Sequence, residues 1–308
     1  MKTITRYRSA RLIFNPCAGA FRRGGARRLA RALDLLRSAG HQVEEHPTTG
    51  PGAAGEMARD LIARGADLIL VAGGDGTVNE ALNGMAGAAT PLGVLPAGTA
   101  NVLGHELGLG SLEQAAARIG ECEPVRVALG LLRPSDAPPR HFLMMAGAGL
   151  DALVVNELNP DLKRRLGKFA YWVATFRLVG RRLEEFDVRA GGVQRRCGFA
   201  LAARVRNYGG DLEIARGASL LRNDFEAVLL EGAAASRYLK YFAGVGIRTL
   251  GRMRGATILR SRALELSGGR APVQVDGEAA GWLPATIEIV DDGTTLLVPP
   301  QFLAREIR

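Results

Sequence analysis

An aspartate set between glycines at the end of an apolar run can serve phosphate chemistry. Leu68–Leu82 reads LILVAGGDGTVNEAL, with Gly73, Gly74, Asp75, Gly76 and Thr77 at its centre. A Gly-Gly pair lets the backbone turn sharply and approach a ligand closely. A helix opening behind it offers unpaired N–H groups and a positive dipole end, which suits an anion. An acidic side chain beside a phosphate is unfavourable unless a cation sits between them. Asp75 therefore reads as a ligand, direct or through water, for Mg2+ on a nucleotide. The competing reading is a glycine turn whose aspartate caps the helix. Neither a Walker A loop nor the dinucleotide G-x-G-x-x-G is present.

Three further segments carry Gly, Thr or Asn after an apolar run: NPCAG at Asn15–Gly19, TTGPGAAGEMAR from Thr48, and LPAGTANVLGHELGL from Leu95. The elements that must position them follow from the pattern. Strands are expected at 11–15, 42–45, 68–72 and 92–95, and helices at 26–39, 52–64 and 77–83. That βαβα order implies a doubly wound parallel sheet, in which ligands lie beyond the carboxyl ends of the strands. From about Val125 the runs at 199–205, 225–230, 256–266, 273–275, 286–290 and 295–298 are short and punctuated. They predict an antiparallel β-sandwich, interrupted by one helical insertion at about 162–182. The Pro-rich RPSDAPPR (Arg133–Arg140) reads as a hairpin loop. The expected domains are 1–124 and 125–308, with the last residues packing back on the first.

The chain has 308 residues, 47% of them hydrophobic, with a formal net charge of +9, so a globular protein with two cores is expected. Cys17, Cys122 and Cys197 are odd in number and form no C-x-x-C pair. With four scattered histidines they argue against a disulfide framework or zinc site, and for a reducing compartment. Cys17 reads as a small packing residue. MKTITRYRSA lacks an apolar core and does not read as a secretory signal, and no apolar run is long enough to span a membrane. The charge is concentrated. Segments 163–182 and 236–262 each hold seven Lys/Arg and no acid, interleaved with aromatics and leucines. Such segments suit anionic lipid headgroups, or else form an ordinary solvated basic face. Lys163, Arg164, Arg165, Lys168, Arg181, Arg182, Lys240, Arg248, Arg252 and Arg254 are the expected membrane contacts. No nucleic-acid motif accompanies them.

With NPCAG, Thr48, GGDGTVNE (Gly73–Glu80) and PAGTAN (Pro96–Asn101) in order, the sequence resembles the diacylglycerol kinase catalytic family, which includes bacterial lipid kinases and the sphingosine and ceramide kinases. AGAGLDALVV (146–155), LGKFAYW (166–172), NYGGDLEIA (207–215) and VDGE (Val275–Glu278) extend the resemblance over nearly the whole chain. It implies a two-domain enzyme that binds ATP in its N-terminal domain and presents a lipid hydroxyl from a β-sandwich. The nucleotide residues it implies are Asn15, Thr48, Gly73, Gly74, Asp75, Gly76, Thr77, Val78, Asn79, Glu80, Gly98, Thr99 and Asn101. It implies Mg2+ with ATP, and a general base from Asp276 or, second, Glu278. Read without the resemblance, VDGE is an ordinary Asp-Gly hairpin turn.

Three acids frequent in that family are replaced here by Val102, Ala128 and Arg222, so no structural magnesium site is expected at Arg222. Asp224 follows two residues later. The expected function is an ATP-dependent lipid kinase, cytoplasmic and peripheral at the inner membrane face. Its partners would be ATP, a lipid and an anionic membrane surface, not nucleic acid. Diacylglycerol, sphingosine, ceramide and polyprenol-type alcohols remain open as acceptors, as does the oligomeric state, a homodimer included. The alternatives are a catalytically impaired lipid- or nucleotide-binding regulator and an NAD kinase-like enzyme.

Overall fold

The computed structural model describes residues 5–21, 25–150, 152–153, 182–208 and 212–306. The insertion expected at 162–182 therefore lies almost wholly outside the described residues. So do Lys163, Arg164, Arg165, Lys168 and Arg181, and the stretch 209–211. The chain divides into two compact units, Met1–Ala128 with Asp292–Arg308, and Leu129–Asp291.

In the first unit, β1 (Ala10–Phe14), β2 (Val43–Pro47), β3 (Leu68–Gly73) and β4 (Pro91–Pro96) lie in the order β2-β1-β3-β4, and every pairing is parallel. The central strand β3 is buried at all six positions, which is why it reads as an unbroken apolar run rather than an alternating one. The edge strand β2, with the pattern VEEHP, is partly or fully exposed throughout. The connections are α1 (Gly25–Ser38), α2 (Ala53–Ala63) and α3 (Asp75–Met85). α1 buries Ala32, Leu33 and Leu36, and α2 buries Ala54, Ala58 and Leu61. That three-to-four-residue spacing marks a single apolar stripe. α2 and α3 meet backbone to backbone, since a Cβ on Gly55 would stand 2.8 Å from the Glu80 carbonyl oxygen. Beyond β4 come α4 (Val102–Leu107), α5 (Leu112–Arg118) and β5 (Glu123–Pro134). No helix among the described residues is long and apolar enough to cross a membrane.

The second unit is antiparallel. β6 (Arg140–Phe142) pairs back on β5, so RPSDAPPR does close a hairpin. The remaining strands are β7 (Met145–Gly149), β8 (Phe186–Ala190), β9 (Val193–Cys197), β10 (Phe199–Ala203), β11 (Phe225–Leu230), β12 (Ala256–Ser261), β13 (Ala263–Ser267), β14 (Pro272–Val275), β15 (Glu278–Trp282) and β16 (Ala285–Val298). One sheet runs β12-β11-β10-β7-β14-β15, and the other carries β16-β13-β8-β9 with the β5–β6 hairpin. Their facing residues, among them Phe142, Ala146, Phe186, Ala202, Phe225, Leu264 and Ile287, form the core. Phe142 and Phe225 stack at 5.7 Å.

Several expectations are corrected. The run at 256–266 is two strands in different sheets, broken at a corner where the Ser261 hydroxyl accepts from the Gly191 amide and donates to the Ala263 carbonyl. The runs at 286–290 and 295–298 are one strand, β16, whose end pairs parallel with β4. Helix α6 (Ala235–Gly246) stands where only a basic segment had been read. A final helix, α7 (Pro300–Glu306), belongs to the first unit. The three cysteines are free, but Cys17 is exposed rather than packed. Burial pushes the Cys122 and Cys197 thiols up to about 11 and about 12.

Candidate active site

Parallel registry aligns the carboxyl ends of the first unit's strands: Phe14 lies opposite Pro47 and Ala72, and Gly73 opposite Pro96. The order β2-β1-β3-β4 reverses direction between β1 and β3, the crevice where open α/β sheets bind ligands. There the Asn15 amide donates to the Ala72 carbonyl at 3.0 Å, and its side-chain amide reaches the Thr77 hydroxyl at 3.4 Å. The Asn15 side-chain oxygen accepts from the Cys17 amide at 2.9 Å, which turns the chain sharply. Thr48 begins the adjoining loop, its amide donating to the Phe14 carbonyl at 2.9 Å.

The loops after β3 and β4 are built against each other. The Ala97 and Gly98 amides both donate to the Gly73 carbonyl, at 2.9 and 3.1 Å. A Cβ on Gly98 would lie 2.4 Å from the Gly74 Cα, and one on Gly73 would lie 2.7 Å from the Thr77 Cβ. These glycines permit contact that any side chain would prevent. Asn101 holds the second loop, exchanging two hydrogen bonds with the Gly98 backbone at 2.8 and 2.9 Å from a left-handed conformation, φ 48°. Thr99 is exposed at its crest. The Ala20 amide donates to the Ala97 carbonyl at 2.8 Å and brings the loop after β1 to the same place.

Asp75 is the first residue of α3, and no side chain caps that helix at Gly74. Its carboxylate instead spans to the next helix, accepting from the Val102 amide at 3.1 Å and the Leu103 amide at 3.3 Å. The aspartate thus caps α4 and fixes the GGDGT loop to the GTAN loop. The N-cap of α3, Gly74, supplies no side-chain cap, and a helix start of this kind favours an anion. Glu80 accepts from the Ala54 amide at 3.3 Å and so caps α2, whose own start at Gly52 lacks a side-chain cap. Val78 and Asn79 are 4% and 1% exposed. Their side chains face the interior, and Asn79 accepts from the Asn83 side-chain amide.

In the second unit, Asp276 and Gly277 link β14 to β15 with φ of 49° and 82°. Positive φ at both central residues is the geometry that Asp-Gly hairpins favour. The Asp276 carboxylate, 8% exposed, accepts from the Leu143, Met144 and Met145 amides at 3.4, 3.2 and 2.9 Å. Glu278 lies on the adjacent strand and is paired with Arg140. The Gln274 side chain accepts from the Gly277 amide at 2.8 Å. Arg140 and Gln274 had not been read as part of this turn, because a hairpin-loop arginine and a strand glutamine carry no sequence signal of a shared turn. Among the described residues, no cluster of three His, Cys, Asp or Glu side chains is arranged to hold a metal by itself.

A family model of the diacylglycerol kinase catalytic domain matches residues 9–131, the segment that contains all four strand ends. Over these residues the chain is similar to the diacylglycerol kinase catalytic domain. A diacylglycerol kinase of Bacillus subtilis (strain 168) is 29% identical over 291 residues, covering 89% of this chain and 91% of that protein. One of Mycobacterium tuberculosis (strain H37Rv) is 26% identical over 292 residues, covering 92% and 93%. Among solved structures, a diacylglycerol kinase from Bacillus anthracis superposes with a TM-score of 0.77 at 22% identity, covering 96% of this chain and 99% of that one. An NAD kinase from Archaeoglobus fulgidus in complex with ATP gives 0.50 at 15%, covering 97% of each. Both structures establish a shared fold.

The positions where the resemblance led acids to be expected, Val102, Ala128 and Arg222, are locally occupied. Ala128 is buried in β5, 1% exposed. Val102 opens α4 with its amide on Asp75. Arg222 chelates Asp224 with two hydrogen bonds, at 2.9 and 2.8 Å, and Arg260 joins at 3.2 Å. The Arg222 guanidinium holds the Asp224 carboxyl below its usual range. Beneath them Arg204, wholly buried, donates to the Leu220 and Arg222 carbonyls at 2.8 and 3.0 Å, and burial lowers its pKa to about 10. Sequence reasoning missed Arg204, since an arginine inside FALAARV looks solvated when only its neighbours are known.

Proposed function

We propose that the chain is an ATP-dependent lipid kinase that phosphorylates the hydroxyl of diacylglycerol or a related lipid. The supporting observation is the convergence, inside the family-matched segment, of four strand ends on an uncapped α3 N-terminus. In this reading the first unit is the nucleotide domain and the second the lipid-substrate domain. Amides at the start of α3, with Asn15, Thr48, Thr99 and Asn101 around them, receive the ATP phosphates. Mg2+ on the nucleotide would neutralise charge on the phosphate oxygens, with Asp75 as the nearest carboxylate of the loop. Asp276 takes the proton of the lipid hydroxyl. The hydroxyl oxygen forms the new bond to the γ-phosphorus, the bridging P–O bond breaks, and ADP leaves. Asp276 is preferred to Glu278 because it directly precedes the turn glycine, Gly277. The enzyme works in the cytoplasm, peripherally on the inner membrane face.

The test is phosphate transfer from labelled ATP with Mg2+ to diacylglycerol, sphingosine, ceramide, a total lipid extract and NAD in parallel. Label is expected in an organic-phase lipid, with Asp276→Asn lowering turnover about 10²–10⁴-fold. Label on NAD would replace this reading with the NAD kinase-like one. ATP binding without transfer to any acceptor would favour a non-catalytic regulator, an alternative motivated by Val102, Ala128 and Arg222.

A further inference from the structure

Helix α6 is amphipathic in a way the basic segment did not disclose. Ala235, Tyr238, Tyr241 and Val245 are buried, while Ser236, Lys240, Ala243 and Ile247 follow one another along the exposed face. Two tyrosines fix the helix to the chain beside β11. Tyr238 donates to the Gly232 carbonyl at 2.8 Å, and Tyr241 to the Glu231 carbonyl at 3.1 Å. At its end Ile247 is 72% exposed, where the other large hydrophobic found exposed, Trp282, is 39%. Arg248 follows with φ 63°, a left-handed position that glycine occupies without strain. The turn closes the helix, the Arg248 and Thr249 amides donating to the Val245 and Gly244 carbonyls at 3.1 and 2.8 Å, and an arginine there costs backbone energy.

Of the seven cations in 236–262, three are engaged. Arg237 lies over the Tyr241 ring at 5.7 Å, Arg260 pairs with Asp224 and Arg262 with Asp291. Lys240, Arg248, Arg252 and Arg254 are all exposed and have no carboxylate partner among the described residues. We infer that Ile247 and these four cations form a membrane-docking point, in which the isoleucine enters the acyl boundary of an anionic bilayer and the cations meet lipid phosphates. An exposed apolar tip amid uncompensated positive charge fits an anionic lipid surface better than a neutral protein face. The inference deepens the lipid-kinase reading and rests on it for its purpose, but its test does not depend on catalysis.

Binding of the full chain, without ATP, would be measured on phosphatidylcholine vesicles with and without phosphatidylglycerol. Binding is expected only with the anionic lipid and should weaken at high salt. Ile247→Ser should weaken it about tenfold, and Arg252→Gln and Arg254→Gln about fivefold each. Arg248→Gly separates docking from structure, because it should weaken binding while leaving the melting temperature unchanged or raised. Arg31→Gln with Arg59→Gln, two exposed positions in the first unit, should leave binding unchanged. The inference is overturned if Ile247→Ser binds like the parent, or if the Arg31/Arg59 pair loses as much as Arg252/Arg254. It is also overturned if sedimentation shows that Ile247→Ser dissociates a lipid-free dimer, which would make a second copy the occupant. Vesicle binding without phosphate transfer would retain docking and remove the kinase reading. Transfer in detergent micelles without vesicle binding would do the reverse.

Discussion

Gly98→Ala tests whether the contact between the two glycine loops builds the anion site. Gly98 has no positive φ, so alanine can adopt its backbone and the effect is steric alone. The new Cβ would stand 2.4 Å from the Gly74 Cα, 3.1 Å from the Gly74 nitrogen and 2.9 Å from the Asn101 side-chain oxygen. The first two are backbone atoms and cannot rotate away. The loops must separate by more than an ångström to restore ordinary contact, which disturbs the amide pair on the Gly73 carbonyl and the Asn101 clasp. Overpacking of this kind costs about 1–3 kcal/mol, or roughly 2–12 °C in melting temperature for a unit of this size. The N–H groups at the start of α3 shift with Gly74, so ATP affinity should fall by at least about tenfold, the equivalent of ~1.4 kcal/mol. Calorimetric titration of ATP, paired with a thermal melt, measures both. Gly50→Ala is the control, because nothing lies within 4 Å of its added Cβ and its loop adjoins the same site. A Gly98→Ala protein that binds ATP as the parent does would refute the reasoning, and equal losses in Gly50→Ala would show the effect to be non-specific.

Asp75→Ala should cost about 0.5–2 kcal/mol by uncapping α4. Asp75→Asn keeps one acceptor oxygen, so turnover lost far out of proportion to stability in that variant would mark the cation role; urea unfolding and transfer rates distinguish the two. Arg204→Met should destabilise by about 2–4 kcal/mol in urea, because it orphans two carbonyls that now accept from a buried guanidinium. A chelator should leave the parent's unfolding midpoint unchanged; a lowered midpoint would show that a metal, not arginine, holds the 215–224 segment. The Arg28 guanidinium holds Glu113 down to about 2, against 4.5 for an ordinary glutamate. A depressed carboxylate stabilises the fold above its unfolded pKa, and that contribution is lost as pH falls from about 4.5 through about 2. Glu113→Gln should therefore cost no more than about 1 kcal/mol at neutral pH, since the pair is partly exposed, and progressively less as pH falls through about 2. Melting curves across that range decide it.

The first unit was legible because buried parallel strands are written as apolar runs, and each run stops at residues a turn needs. LILVAG and PLGVLP announced β3 and β4, and the glycines after them announced the loops. What those glycines touch was not legible. No local pattern says that Gly98 rests on Gly74, or that Asp75 caps α4 twenty-seven residues away. The second unit hid more. Asp291, Asp292 and Gly293 form a strong turn signal, yet β16 continues through them because its two ends pair with different neighbours. The corner at Ser261 works in the opposite sense: the run 256–266 looks continuous, and only the sheet assignment of β12 and β13 divides it. Helix α6 was masked by its own charge, since Lys240 and Arg248 drew attention from the buried spacing of Tyr238, Tyr241 and Val245.

The three replaced acids are best judged through these unread contacts. The three positions are packed or paired, although the Arg204 Nε beneath Arg222 is buried without a hydrogen-bond partner. Val102 contributes by its backbone, and its amide on Asp75 would be the same with any side chain. Ala128 is packed in a strand where a carboxylate would need a partner. At Arg222 the guanidinium meets Asp224, while Arg204 supplies below it the positive charge toward which the Leu220 and Arg222 carbonyls are turned. These contacts hold the shape of the segment through arginine donors. A chain drifting after loss of activity has no reason to keep Gly73 and Gly98, where an added Cβ would stand 2.7 Å from the Thr77 Cβ and 2.4 Å from the Gly74 Cα. The proposed anion site and the arginine-held segment make separate demands on the chain, and Gly98→Ala with Arg204→Met tests them separately.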